Sequence, residues 1–140
     1  MLFDAENLFS RDQAVTATAK SANTLDLGSG DHGPSERLSL VVCAVGFTAG
    51  SLTVEVHTAD ACSDAGVLTS PVTVASYPVS ADALTAGGNV VVSRLPHGLK
   101  RYVCLNYAAA TGEGTVAPAG GTITAGLVLD VPAEKTMPKA

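Results

Sequence analysis

Residues Ser51-Leu52-Thr53-Val54-Glu55-Val56-His57-Thr58 alternate apolar and polar side chains without a break. Successive side chains of a β-strand point to opposite faces, so this spacing predicts a strand with Leu52, Val54 and Val56 on a dry side. Thr53, Glu55 and His57 then face water. Residues 122–129 repeat the pattern, with Ile123, Ala125, Leu127 and Leu129 on one side. Further strands are expected over residues 13–19, 38–45, 72–76, 89–95 and 101–108, with a short one at 24–27. Between them, Gly28-Ser29-Gly30-Asp31-His32-Gly33-Pro34, Ala86-Gly87-Gly88-Asn89, Pro96-His97-Gly98 and Thr111-Gly112-Glu113-Gly114 supply the backbone angles of turns. No window carries a sustained helical stripe, and only two brief helical turns are expected, capped by Asp4 and Ser80. Short strands at this spacing predict an all-β fold: an antiparallel β-sandwich, jelly-roll or similar.

The 140 residues suit a single domain, and a chain of this length can bury about two-thirds of its unfolded surface. The composition is 46% hydrophobic but only 4% aromatic, with no Trp, so the core must be built from Val, Leu and Ala. Charged residues make up 15%, against about 25% in ordinary soluble domains. Such an exterior is either covered by another protein or made of Ser, Thr and Gly, and composition leaves both open. A net charge of −5 lacks the Lys/Arg-rich face that phosphates require, so nucleic acid is not an expected partner. Met1-Leu2-Phe3-Asp4-Ala5-Glu6 has no basic n-region, and the apolar run from Leu40 to Val45 is far short of the roughly 20 residues that span a bilayer. No secretory signal and no membrane segment are expected.

Cys43, Cys62 and Cys104 form an odd set without short spacing, a poor framework for disulfides or zinc. Cys43 and Cys104 lie within apolar strands and are expected to be small buried thiols in a reducing cytoplasm. His57, Asp60, Cys62 and Asp64 fall within eight positions but match no ligand pattern, so a solvated loop is expected there and no metal. Asp31, His32 and Ser35 are neighbours on a Gly/Pro loop, where a catalytic triad is hard to orient. No nucleophile elbow, phosphate loop or zinc-protease signature occurs, so neither catalysis nor a cofactor is expected.

The features left are suited to contacts between proteins. Leu2-Phe3 and Leu8-Phe9 are apolar pairs near the N-terminus, separated by Asp4-Ala5-Glu6-Asn7. They can fold back on their own sandwich or lock into a neighbour, and the second is preferred: an arm over residues 1–12, a sandwich over 13–131 and a tail over 132–140. Leu2, Phe3, Leu8 and Phe9 are the candidate anchors, each worth roughly 1.5–3 kcal/mol when buried. Arg94, Lys100 and Arg101 hold three of the eight basic residues and could meet an acidic patch, although a solvated hairpin turn accounts for them as well.

Specific residues bring a family into view. Phe3-Asp4, Asn7-Leu8-Phe9-Ser10, Gln13-Ala14-Val15-Thr16-Ala17-Thr18-Ala19, Ser21, Asn23 and Asp26-Leu27-Gly28 form the most specific block. Ser70-Pro71-Val72-Thr73, Ala75-Ser76, Leu95-Pro96, Gly98, Arg101-Tyr102 and Leu105-Asn106-Tyr107 follow in order, then Ile123 to Val131. In these residues the chain resembles the small capsid cement (decoration) proteins of short-tailed bacteriophages, which have a jelly-roll-like sandwich. The loops at 59–66 and 112–120 and the tail beyond Val131 depart from that pattern. The resemblance implies a non-enzymatic homotrimer made in the bacterial cytoplasm and seated on the outer capsid of the virion, against the major capsid protein. A carbohydrate-binding sandwich displayed on the virion is the alternative; it needs exposed aromatic platforms, for which Tyr77 is the easiest candidate.

Overall fold

The structure is a computed structural model that describes residues 8–28, 38–96, 98–110 and 112–129. Among the described residues, nine strands and one short helix follow in the order β1 (Leu8–Ala14), β2 (Ala19–Lys20), β3 (Leu25–Asp26), β4 (Leu38–Val45), β5 (Leu52–Ala59), β6 (Val72–Val79), α1 (Ala81–Ala86), β7 (Gly88–Arg94), β8 (Tyr102–Ala109) and β9 (Thr122–Leu129). They form two antiparallel sheets. Sheet A has the order β1-β9-β4-β7; sheet B has the order β2-β8-β5-β6, with β3 also pairing β8. The chain changes sheets at nearly every connection, β5 and β6 being paired within sheet B, and the first strand lies beside the last. This is the double Greek-key arrangement of a jelly roll, as the alternation had implied.

The alternation of β5 is realised as expected. Leu52, Val54 and Val56 are buried, while Thr53, Glu55 and His57 are half-buried on the other side. Ile123, Ala125 and Leu127 of β9 face the same core. Valines and leucines fill most of that core, and Phe9, Phe47 and Tyr107 are its rings. Ser80 caps α1 by accepting a hydrogen bond from the Ala83 N–H, and Leu84 anchors the helix in the core. The turn expected after Asp4 lies outside the described residues. At Gly50 (φ +94°) a Cβ would stand 2.2 Å from the Ala117 carbonyl oxygen, so only glycine fits where these two loops meet.

Four expectations are corrected. Residues 13–19 are not one strand: β1 ends at Ala14 in sheet A and β2 begins at Ala19 in sheet B. Apolar and polar residues alternate through this segment because the chain is crossing between sheets, with Val15 fully buried at the crossing. Strand β6 runs on to Val79 through Pro78, which an edge strand tolerates because its outer N–H groups have no ladder partner. The basic segment after β7 is not a hairpin turn, since β7 belongs to sheet A and β8 to sheet B. It is a crossover whose Leu95 and Leu99 pack against the core. Finally, Leu8 and Phe9 belong to β1 and are only 4% and 1% exposed, so the sandwich begins at Leu8 and not at residue 13. Both side chains are buried within the chain.

Candidate functional site

What distinguishes the surfaces of the described residues is the contrast between the two outer faces. Register assigns the faces, because residues directly opposite each other on paired strands share a side. On sheet B, Thr53, Glu55 and His57 of β5 lie opposite Ala108, Asn106 and Cys104 of β8. Asn106 Nδ2 donates to Glu55 Oε1 at 2.9 Å, and His57 Nε2 stands 3.8 Å from Glu55 Oε2. This is a polar exterior. On sheet A, Ser39, Val41, Cys43 and Val45 of β4 lie opposite Val128, Gly126, Thr124 and Thr122 of β9, and Val41 also faces Val92 of β7. This exterior is largely apolar. Val45 is 62% exposed and Val92 38%, whereas Val41 is fully closed to solvent and Val128 nearly so.

The three cysteines divide between these environments. Cys43 is half-buried on the outer face of sheet A and not within the core, which corrects the expectation from its apolar strand. Cys104 is buried, but on the outer side of sheet B, where Ala59, Leu68, Cys62 and Tyr102 gather around it. Burial pushes the Cys104 thiol up, and the Lys20 charge only partly opposes this. All three thiols are free.

The candidate interface residues scatter. Leu2 and Phe3 lie outside the described residues. Arg94 is exposed at the end of β7, opposite Ser39 and so on the outer side of sheet A. Arg101 is on the other side of the molecule. Its Nε and Nη2 donate to Asp26 Oδ1 and Oδ2 at 2.9 and 3.0 Å, and its guanidinium lies 5.0 Å from the Tyr102 ring centroid. The Asp26 hydrogen bonds and charge hold Arg101 protonated above even its usual range. Lys100 Nζ is 3.5 Å from Asp60 Oδ2. The run of basic residues in sequence is therefore two separate places in space, and two of its three charges are already paired within the chain.

The residues that carry the family resemblance come together more closely. Ser10 Oγ donates to Gln13 Oε1 at 2.6 Å, which leaves the Tyr107 hydroxyl to donate to Ser10 Oγ at 2.7 Å. Gln13 Oε1 also accepts from the Ala22 N–H, and its Nε2 donates to the Lys20 carbonyl. Ser21 Oγ accepts from the Leu105 N–H, and Asn23 Nδ2 donates to the Leu8 carbonyl. With Asp26–Arg101, these bonds fasten the crossing from β1 to β3 against β8. Burial pushes the Tyr107 phenol far up, with only partial relief from Ser10. None of these roles was legible as function in the sequence. The signal was present as Ser10, Gln13, Ser21, Asn23 and Tyr107 in the matching block, but their meaning is scaffolding.

A groove of about 680 Å³ lies between the β2–β3 segment and the loop that carries Cys62, Asp64 and Gly66. Several of its polar groups are engaged: Thr24 Oγ1 donates to the Gly66 carbonyl at 2.6 Å, Ser63 Oγ accepts from the Val67 N–H, and Asp26 holds Arg101. Asp60 belongs to the solvated loop expected there, with its side chain 82% exposed. Among the described residues, no three His, Cys, Asp or Glu side chains converge as a metal site, and no helix is long and apolar enough to cross a membrane. Asp31, His32 and Ser35 lie outside the described residues. Tyr77 is half-buried with its hydroxyl 3.2 Å from Ser93 Oγ, and Tyr107 is wholly buried.

The Bbp16 family matches residues 9–128, which is almost the whole jelly roll from Phe9 of β1 to Val128 of β9. The chain belongs to the Bbp16 family. This is a phage-associated family, and membership in it covers both sheets, the crossover at 95–101 and the groove. No curated protein matches the sequence.

Proposed function

We propose that this member of the Bbp16 family is a structural cement protein that binds the outer surface of a tailed-phage capsid as a homotrimer and stabilises the shell against internal pressure. The observation that carries the reading is the match of a phage-associated family over residues 9–128, coincident with a complete jelly roll. Jelly rolls serve viral capsids and lectins among other roles, so the fold is compatible with a virion component without specifying one. Three further features fit. The net charge of −5 suits a partner made of protein and not of nucleic acid. Several polar groups of the groove beside β2 and β3 are committed to the fold. The apolar exterior of sheet A is the kind of surface that proteins hide in assemblies.

The mechanism requires no chemistry. A rigid sandwich that prefers the mature shell stabilises that state by mass action, about 2.7 kcal/mol per site at a hundredfold excess over its dissociation constant. Three linked copies on one lattice position raise avidity by about 10²–10⁴ over one contact. The partners are the major capsid protein and the chain itself, with no enzyme activity and no cofactor, and the location is the virion exterior after synthesis in the host cytoplasm.

The deciding experiment adds purified protein to phage heads that lack it, followed by cosedimentation and imaging of the particles, with native mass spectrometry of the free protein. Saturable decoration, heads that withstand higher temperature, and a mass three times that of the chain are expected. Heads that stay bare at saturating protein reject the reading.

A further inference from the structure

We propose that Lys20 and Asn106 join through an intramolecular isopeptide bond, a side-chain amide that the chain forms by itself with Glu55 moving the proton. The inference goes beyond the cement role and does not depend on it.

Three strands of sheet B place the groups in one row. Lys20 of β2 is the register partner of Asn106 of β8, and Asn106 is also the register partner of Glu55 of β5. Residues directly opposite share a face, so an amine, a carboxamide and a carboxylate stand side by side on the outer face. The Ser21 N–H donates to the Leu105 carbonyl. The next pair, Lys20 and Asn106, is therefore one without ladder bonds of its own, the kind whose side chains stand closest, with Cβ atoms about 4.5–5.5 Å apart. Lys20 is exposed, and its side chain is long enough to lay the amine over the Asn106 carboxamide. Its charge acts on the Cys104 thiol, the neighbouring outward position on β8. From the other side, Asn106 Nδ2 donates to Glu55 Oε1 at 2.9 Å, and Glu55 Oε2 stands 3.8 Å from His57 Nε2. Among the described residues Lys100 meets the Asp60 carboxylate instead, and Asn23 gives its Nδ2 to the Leu8 carbonyl.

The step balances without a co-reactant. The Lys20 ammonium first gives a proton to solvent, and Nζ then attacks Asn106 Cγ, forming the new C–N bond and a tetrahedral carbon. Glu55 takes a proton from Nζ and hands it to Nδ2, the nitrogen it holds in the structure. The Cγ–Nδ2 bond breaks, ammonia leaves, and one amide has replaced another with no change of oxidation state. Neighbouring strands supply the proximity, which in well-oriented systems is worth effective molarities of about 10⁵–10⁸ M. A positioned proton-transfer group adds about 10²–10⁴-fold. The product ties β2, only two residues long, covalently to β8.

The experiment incubates the full chain at pH 7 and at pH 9 and follows it by intact mass under denaturing conditions and by tryptic mapping. An amine attacks only without its proton, so the linkage should form faster at pH 9. The expected product weighs one ammonia less than the sequence, resists trypsin at Lys20, and yields a branched peptide joining residues 12–37 to residues 102–135. Lys20→Arg should keep the full mass, and Glu55→Gln should form the linkage about a hundredfold more slowly. Full mass at every time point, with trypsin cleaving at Lys20, overturns the proposal. Ammonia loss that persists in Lys20→Arg overturns it as well, by assigning the loss to an asparagine that closes on its own backbone as a succinimide. A linkage formed as fast in Glu55→Gln as in the natural chain overturns the part given to Glu55. Lys20 is exposed, so its arginine variant keeps the fold; where Glu55→Gln does not fold, Glu55→Asp, which draws the carboxylate back from Nδ2, takes its place. No capsids enter the assay, so its failure and that of the cement reading are separate results.

Discussion

On its outward side sheet B presents Thr53, Glu55, His57 and Asn106, whereas sheet A presents Ser39, Val41, Cys43, Val45, Val92 and Val128. The inward sides are alike, apolar and packed into one core. Sheet B thus carries polar side chains in the middle of its outer face, while sheet A is largely apolar on both faces. The difference is written in single strands. Strand β5 alternates, as a sheet facing water on one side requires. Strand β4, Leu38-Ser39-Leu40-Val41-Val42-Cys43-Ala44-Val45, barely alternates and reads like a strand covered on both faces. A sandwich of two such sheets has a built-in direction: one exterior can meet water indefinitely, and the other gains from being covered.

Four substitutions test how far that contrast goes, in descending order of effect. Phe9→Ala should destabilise the chain by about 3–5 kcal/mol, because it opens a cavity in the shared core. Urea denaturation measures it, and a change confined to capsid binding would return Phe9 to the role of an external anchor. Next come matched charges at the two exteriors. Val41→Asp buries an unpaired carboxylate and should cost about 3 kcal/mol or more, while Thr53→Asp should stay within about 0.5 kcal/mol. Equal effects would abolish the distinction between the faces.

The third concerns the bond that joins the sheets, Tyr107 of sheet B to Ser10 of sheet A. Tyr107→Phe should cost about 1 kcal/mol at neutral pH. It should also change the alkaline limb of stability. Burial raises the folded-state pKa of Tyr107 above its unfolded value, so its contribution is fully present below about pH 10 and is lost as pH climbs beyond it. Cys104 acts with the same sign from about pH 8.5. Thermal melts from pH 7 to 11 should show the variant losing the later part of that decline and keeping the earlier part. The smallest effect is expected for Arg101→Ala on the exterior of sheet B, since its ion pair with Asp26 is exposed and screened. The melting temperature should fall slightly at low salt and not at all at 1 M NaCl.

Period-two spacing located the strands, and Ser80 located the helix, because both are local consequences of the backbone. What local pattern could not reveal was connectivity in space. Residues 13–19 look continuous in sequence, yet Val15 marks the point where the chain leaves one sheet for the other. Arg94, Lys100 and Arg101 are neighbours along the chain, and only the jelly-roll crossover shows that Arg94 lies apart from the other two. Leu8-Phe9 beside Leu2-Phe3 resembled one apolar arm, but pairing of β1 with β9, invisible in any window of sequence, draws Phe9 into the core and buries Leu8 in the strand beside it. The unbroken apolar character of β4 was visible from the start. Its meaning depended on knowing which face each residue takes.

The pairing of the first strand with the last has a temporal side. Ser10 finds Ala125, and Asp12 N–H finds Thr124 Oγ1, across more than a hundred intervening residues. Loops that long close slowly, and folds dominated by them form on millisecond-to-second scales. During translation Phe9 has no seat until the ribosome has released the segment around Ala125, so a stalled or clipped nascent chain exposes its own β1 and invites clearance. Only a chain extended through β9 can complete sheet A, so the first strand waits on the last.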